Sequence, residues 1–127
     1  MTKVRDLMTS MPQTIGFDIS VEKAQTMMKE YACHHLPVLD GGKLVGVLSD
    51  RDLSMARHGS ANIKNEQLVM DLMTDTPIVI DPSAEISTAI QTMLDNKINS
   101  LIVRSEGGQP WGILTSTDLL RYVMDKA

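Results

Sequence analysis

The sequence predicts a mixed α/β (α+β) fold made of two β-α-β-β-α units, and three observations carry that prediction. The first is an internal repeat: Val4-Arg5-Asp6-Leu7-Met8-Thr9 returns 65 residues later as Val69-Met70-Asp71-Leu72-Met73-Thr74. Pro12, Ile15, Ala24, Met28 and Leu36 meet Pro77, Ile80, Ala89, Met93 and Leu101 in the same register. The second is that short β-branched runs alternate with stretches of helical periodicity. The third is a pair of glycine-rich turns, Asp40-Gly41-Gly42-Lys43 and Glu106-Gly107-Gly108-Gln109, each between two apolar runs, which is how a hairpin reads.

Taken in order, the Asp-Leu-Met-Thr segment forms a short helical turn, and the proline after it marks the start of an extended stretch. A first strand covers Gln13 to Phe17, and Ile78 to Ile80 in the second copy. Ser20 then caps an amphipathic helix whose buried face is Val21, Ala24, Met28 and Tyr31. Its counterpart carries Ile86, Ala89, Ile90, Met93 and Leu94. Leu36 to Leu39 and Leu101 to Val103 are buried-strand candidates, with Leu44 to Leu48 and Pro110 to Leu114 as their hairpin partners. Pro37 and Pro110 cannot donate to a ladder and belong at a strand start or edge. Closing helices run from Asp52 to Arg57 and from Asp118 to Asp125. The repeats thus occupy 1–60 and 69–127, joined by a polar linker at 61–68. A unit of some 60 residues buries only ~60% of its unfolded surface, so the two copies are expected to fold against each other.

Composition removes several functions. The formal charge is −4 and no run of Lys or Arg exists, which argues against a nucleic-acid backbone as main partner. Phe17, Tyr31, Trp111 and Tyr122 are the only aromatic residues, too few for a stacking platform. No apolar run reaches the ~18 residues of a membrane span, and the N-terminus lacks a signal-peptide pattern. A single cysteine, Cys33, cannot staple the fold and fits a reducing cytoplasm. No nucleophile with a paired base, phosphate loop or carboxylate cluster is present, so the chain reads as a non-enzyme.

The residues with chemistry sit in a doubled string, Gly46-Val47-Leu48-Ser49-Asp50-Arg51-Asp52 and Gly112-Ile113-Leu114-Thr115-Ser116-Thr117-Asp118. Each places a hydroxyl and a carboxylate where a strand runs into a helix. One reading is a capping box, with Ser49 or Thr115 as N-cap and Asp52 or Asp118 reaching back to the cap amide. The other is a ligand site: the helix start attracts an anion while the aspartate accepts from a ribose diol. The copies differ in charge. Arg51, His34 and His35 favour phosphate in the first, where the second has Thr117, Asn99 and Ser100.

A tandem β-α-β-β-α with Asp-Leu-Met-Thr at each start, His35-Leu36-Pro37-Val38 before the first hairpin and Gly-x-x-Ser/Thr-x-x-Asp-Leu at each end resembles a cystathionine β-synthase (CBS) domain pair. The resemblance runs from Val4 to about Met124. It implies repeats packed about a pseudo-twofold axis, with two inter-repeat clefts for adenosine-containing ligands such as AMP, ADP, ATP or S-adenosylmethionine. By position, Thr115 and Asp118 would hold sugar and phosphate in one cleft, and Ser49 and Asp52 in the other. The clefts would be lined by Met11 to Ile15 with Cys33 to Pro37, and by Thr76 to Ile80 with Ile98 to Leu101.

Gln13, Ile15, His35, Ile78, Ile80, Asn99 and Ser100 thereby join the candidate binding residues, with Ile15, Val38, Ile78 and Val103 as aliphatic walls. The resemblance further implies a homodimer joined through helices and a separate effector protein that reads the bound state. The alternative is a structural dimerisation module with no nucleotide. A metal site at Cys33-His34-His35 is not expected, because adjacent residues do not easily converge on one ion.

Overall fold

The computed structural model describes residues 2–59, 67–105 and 111–126. The 106–109 turn, Pro110 and most of the linker lie outside the described residues. In chain order the elements are α1 (Val4–Leu7), β1 (Thr9–Ser10), β2 (Ile15–Gly16), α2 (Val21–Glu30), β3 (His35–Asp40), β4 (Lys43–Ser49) and α3 (Asp50–Gly59). They continue with α4 (Val69–Leu72), β5 (Thr74–Asp75), β6 (Val79–Ile80), α5 (Ile86–Asn96), β7 (Ser100–Val103), β8 (Gly112–Thr115) and α6 (Ser116–Lys126).

These elements form two compact units whose borders do not follow the repeat. A central unit comprises Gln13–Pro77, and a terminal unit comprises Met1–Pro12 with Ile78–Ala127. The central sheet has strand order β2-β3-β4-β5 and the terminal sheet β1-β8-β7-β6. Each repeat therefore gives its opening helical turn and first short strand to the body of the other. Thr9 and Ser10 pair with Ile113 and Gly112, while Thr74 and Asp75 pair with Val47 and Gly46. The amide of Val4 donates to the carbonyl of Ala84 at 3.0 Å, and that of Val69 to Ile19 at 2.8 Å.

The repeated Asp-Leu-Met-Thr gains a physical meaning here. Asp6 and Asp71 accept from the amides of Lys3 and Leu68 at 2.8 and 2.9 Å, which caps each short helix. The methionine that follows lies over a glycine. A Cβ on Gly46 would stand 2.6 Å from Met73 Sδ and 2.8 Å from the Thr74 carbonyl oxygen; one on Gly112 would stand 2.6 Å from the Thr9 carbonyl oxygen. The glycine of each doubled string is thus required by the incoming strand.

The two cores match position by position. Ile15, Ala24, Met28, Leu36, Val38, Leu48 and Leu53 are buried in the central unit, and Ile80, Ala89, Met93, Leu101, Val103, Leu114 and Leu119 in the terminal one. Val69 completes the first cluster and Val4 the second, each supplied by the opposite repeat.

Four expectations change. Tyr31 is half exposed because α2 ends at Glu30 and Ala32 enters the left-handed region at φ 50°, which turns the chain off the core. Ile90 and Leu94 lie one residue off the buried Ala89–Met93 stripe and face outward. Pro37 sits inside β3, fully buried, opposite Val47. It is tolerated there because β2 begins its pairing only at Val38, so no ladder donor is required of it on that side. The first strands shrink to two paired residues each, and the closing helices begin at Asp50 and Ser116.

Candidate functional site

Parallel pairing of β2 with β3 and antiparallel pairing of β3 with β4 bring the starts of the first two strands and the finish of the third to one end of the central sheet. His35 stands opposite Ser49 in register, and α3 follows β4 without a loop. That end gathers Gln13, Ile15, His35, Ser49, Arg51 and Asp52. In the terminal unit Ser100 stands opposite Thr115, and the same construction gathers Ile78, Ile80, Asn99, Ser100, Thr115 and Asp118. Each of these two groups lies within a single compact unit, whereas the expected lining stretches Met11 to Ile15 and Thr76 to Ile80 both run across the border between units.

Both doubled strings form the capping box. The Ser49 amide donates to Asp52 Oδ2 at 2.9 Å and the Asp52 amide to Ser49 Oγ at 3.0 Å. In the other copy the Thr115 amide donates to Asp118 Oδ2 at 2.9 Å, the Thr115 hydroxyl to the same oxygen at 3.1 Å, and the Asp118 amide to Thr115 Oγ1 at 3.4 Å. The first helical amide is taken as well, by the carbonyl of His34 onto Asp50 at 2.9 Å and of Asn99 onto Ser116 at 3.0 Å. Of the opening N–H groups this leaves those of Arg51 and Thr117 outside these bonds, a narrower anion site than a bare helix start offers. Each aspartate uses only Oδ2 in these bonds. Both are half-buried, and Oδ1 keeps its lone pairs for a further donor.

The aliphatic walls need correction. Ile15 is 5% exposed and Val38 and Val103 are wholly buried, so their side chains belong to the cores, as does that of the binding candidate Ile80 at 8%. Only Ile78 stays half-buried at the margin. What residues 13–15 and 78–80 present is mainly backbone, and here the copies differ. Ile102 donates to the Ile78 carbonyl at 3.0 Å, whereas its counterpart Pro37 has no N–H to offer Gln13.

A cavity of about 610 Å³ lies beside the central site, on the helical side of that unit. Gln25, Met28, Lys29, Ala32, Cys33, His34, Asp50, Leu53 and Ser54 line it. Sequence reasoning passed over Asp50 and Lys29 because Asp50 fills a variable position inside the doubled string and Lys29 lies outside it. His34 Nδ1 lies 2.8 Å from Asp50 Oδ2, and both side chains are largely exposed. Burial pushes the Cys33 thiol up from its ordinary value, against smaller opposing effects of hydrogen bonds from its own and the His35 amide, which makes it a poor nucleophile at neutral pH. Among the described residues no group of three or more His, Cys, Asp or Glu could hold a metal ion. Nor is any helix among them long and apolar enough to cross a membrane.

Comparison with known proteins adds the family. The chain is 37% identical over 116 residues to an inosine-5'-monophosphate dehydrogenase of Korarchaeum cryptofilum, a match that takes 91% of this chain and spans 22% of that enzyme. It is 31% identical over 121 residues to the uncharacterized protein YlbB of Bacillus subtilis, covering 94% of this chain and 80% of the relative. Among solved structures, the CBS domain pair of protein MJ0100 in complex with 5'-methylthioadenosine and S-adenosyl-L-methionine superposes with a TM-score of 0.85 at 26% identity, covering 100% of this chain and 99% of that one. CBSX2 in complex with AMP superposes with a TM-score of 0.75 at 30% identity, covering 99% and 98%. The CBS domain model matches twice, over residues 4–59 and 69–125, and with both doubled strings, both cores and both caps inside those spans the chain belongs to the CBS domain family.

Proposed function

We propose that this chain is a regulatory module that binds an adenosine-containing ligand at the sheet ends bearing Ser49–Asp52 and Thr115–Asp118, and that it passes the bound state to a separate effector protein. The observation that carries this reading is the division of labour within each aspartate. One carboxylate oxygen caps the helix, and the other is left to accept from a ribose hydroxyl in a charge-assisted bond worth ~1.5–3 kcal/mol. Beside it stand the open amide of Arg51 or Thr117 for a phosphate or other electron-rich group, and main chain of residues 13–15 or 78 for the base edge. The complexes of MJ0100 with methylthioadenosine and S-adenosylmethionine, and of CBSX2 with AMP, support an adenosyl guest. Regulation follows from linkage: a ligand that prefers one arrangement of the protein shifts the population toward it, and its effector reciprocates. Among the described residues the site holds no nucleophile–base pair, and in this reading the module acts by binding, in the form of a homodimer.

Calorimetry with AMP, ATP and S-adenosylmethionine tests the reading. Asp118→Ala and Asp52→Ala should each weaken the ligand of their own site tenfold or more, since ~1.4 kcal/mol is tenfold. Asp118→Asn, which keeps an acceptor for the cap amide, separates loss of charge from loss of the cap. Unchanged affinity in all three variants would remove the aspartates from the site.

The second reading, a dimerisation module with no nucleotide, is favoured by the completeness of both capping boxes. A thermal-shift panel separates the two, because a ligand at about 100 times its dissociation constant adds ~2.7 kcal/mol of apparent stability.

A further inference from the structure

At the sheet ends that carry the proposed sites, the two units part by one hydrogen bond. In the terminal unit the β6–β7 ladder opens with the pair Val79 and Ile102, and the Ile102 amide donates to the Ile78 carbonyl at 3.0 Å. In the central unit the ladder opens one pair later, at Ile15 and Val38, the equivalents of Ile80 and Val103. The cause is Pro37, which stands where the other repeat has Ile102 and whose ring nitrogen carries no hydrogen. Among the described residues no main-chain amide donates to the carbonyl of Gln13, the equivalent of Ile78.

A carbonyl without its ladder partner takes water or a guest in its place, because leaving it bare costs free energy. Gln13 is exposed, whereas Pro37 is fully buried inside β3, so a packed ring rather than a frayed end holds the gap open. The gap lies at the Ser49–Asp52 end of the central sheet. Pro37 is two residues, ~7 Å, along β3 from His35, which faces Ser49 in register.

We infer that Pro37 sets the base specificity of the central site: it leaves the Gln13 carbonyl to accept from the 6-amino group of an adenine, while the terminal site, whose Ile78 carbonyl is held by Ile102, distinguishes that group only weakly. The inference rests on the adenosyl reading above and deepens it. Once the sugar occupies N9, the 6-amino group is the only donor on the adenine base, and the ring nitrogens all accept. An open carbonyl therefore matches adenine at one point. A purine without the amino group strands that carbonyl, which is how a site built around one hydrogen bond rejects an analogue. At Ile78 nothing is stranded, because the ladder bond remains. Pro37 acts through Gln13 and is a positioning residue.

Calorimetric titration with AMP and with purine riboside 5'-monophosphate, which lacks only the 6-amino group, tests the inference on the wild type and on Pro37→Val and Pro37→Ala. Both substitutions restore the N–H, and far-UV circular dichroism verifies the fold of each. The wild type should prefer AMP by about tenfold or more at one class of site and by less than about threefold at the other. Each Pro37 variant should bring the larger ratio to within about threefold, chiefly by weakening AMP. A general loosening of the sheet would instead weaken both compounds alike and leave the ratio unchanged. Equal binding of the two compounds by the wild type, or a ratio that survives in a folded Pro37 variant, overturns the inference and leaves the adenosyl reading standing. If neither variant folds, the wild-type ratios at the two classes of site decide. Failure of AMP to bind at all overturns the inference, and if S-adenosylmethionine fails as well, the adenosyl reading falls with it.

Discussion

The central and terminal units agree wherever the chain must fold and part wherever it meets something else. Leu36 and Leu101, Val38 and Val103, Leu48 and Leu114, and Leu53 and Leu119 occupy matching places in the two cores. Around them the helix starts diverge: Asp50 pairs with His34 in one unit where Ser116 and Asn99 stand in the other. The outer helices diverge further still: Ile90, Leu94 and Leu120 are exposed in the terminal unit where Gln25, Lys29 and Ser54 stand in the central one. Packing in a close-filled interior fixes volume and shape at each position, so two copies of one fold keep the same side chains there. A surface residue answers only to its neighbours in solution, and duplication frees one copy to acquire contacts that the other lacks.

The agreement of the cores can be broken directly. Leu36→Ala and Leu101→Ala should each cost about 3–4 kcal/mol by leaving a cavity in a filled cluster, and by similar amounts. Urea unfolding checks this; a difference between them well beyond ~1 kcal/mol would mean that the two cores are not energetic twins.

The glycines extend the comparison, because the same motif position is crowded by the same pair of atoms in both units. An added Cβ at Gly112 would stand 2.6 Å from the Thr9 carbonyl oxygen and 2.8 Å from Met8 Sδ, and one at Gly46 would stand 2.8 Å from the Thr74 carbonyl oxygen and 2.6 Å from Met73 Sδ. The thioether can give way but the main-chain carbonyl cannot, so Gly112→Ala and Gly46→Ala should each destabilise by about 2–3 kcal/mol by forcing the exchanged strand outward. Midpoint shifts in urea that differ by well over ~1 kcal/mol would show that the two exchanged strands yield unequally.

The smallest effect is expected at the feature that separates the helix starts. Because the His34–Asp50 contact is largely open to solvent, Asp50→Asn should change stability by no more than about 0.5 kcal/mol at neutral pH. A larger loss would make that contact structural, and the difference between units a matter of folding.

Much of this was readable from the chain. The offset of 65 residues, the Ser20 cap, and the Gly41-Gly42 turn with φ values of 57° and 86° each follow from local chemistry, and each takes its expected place. So do the Ser49–Asp52 and Thr115–Asp118 boxes, whose bonds span three residues. The orientation of Ile90 and Leu94 was misread because an apolar residue one step from a buried stripe looks like part of it. The wall residues were misread for a related reason: Ile15, Val38 and Val103 adjoin the sheet end in sequence, while the pleat turns their side chains into the core.

By itself the sequence determined that there are two repeats, the order of elements within each, and which residues cap their helices, since all of these depend on contacts a few residues apart or on a repeated pattern. Only the tertiary structure decided that Val4 completes the second repeat's core and Val69 the first's. The physical reason is degeneracy. Two repeats with matching interiors offer either valine an equivalent socket, so no local preference distinguishes keeping the opening segment from exchanging it, and the choice falls to the path of the whole chain.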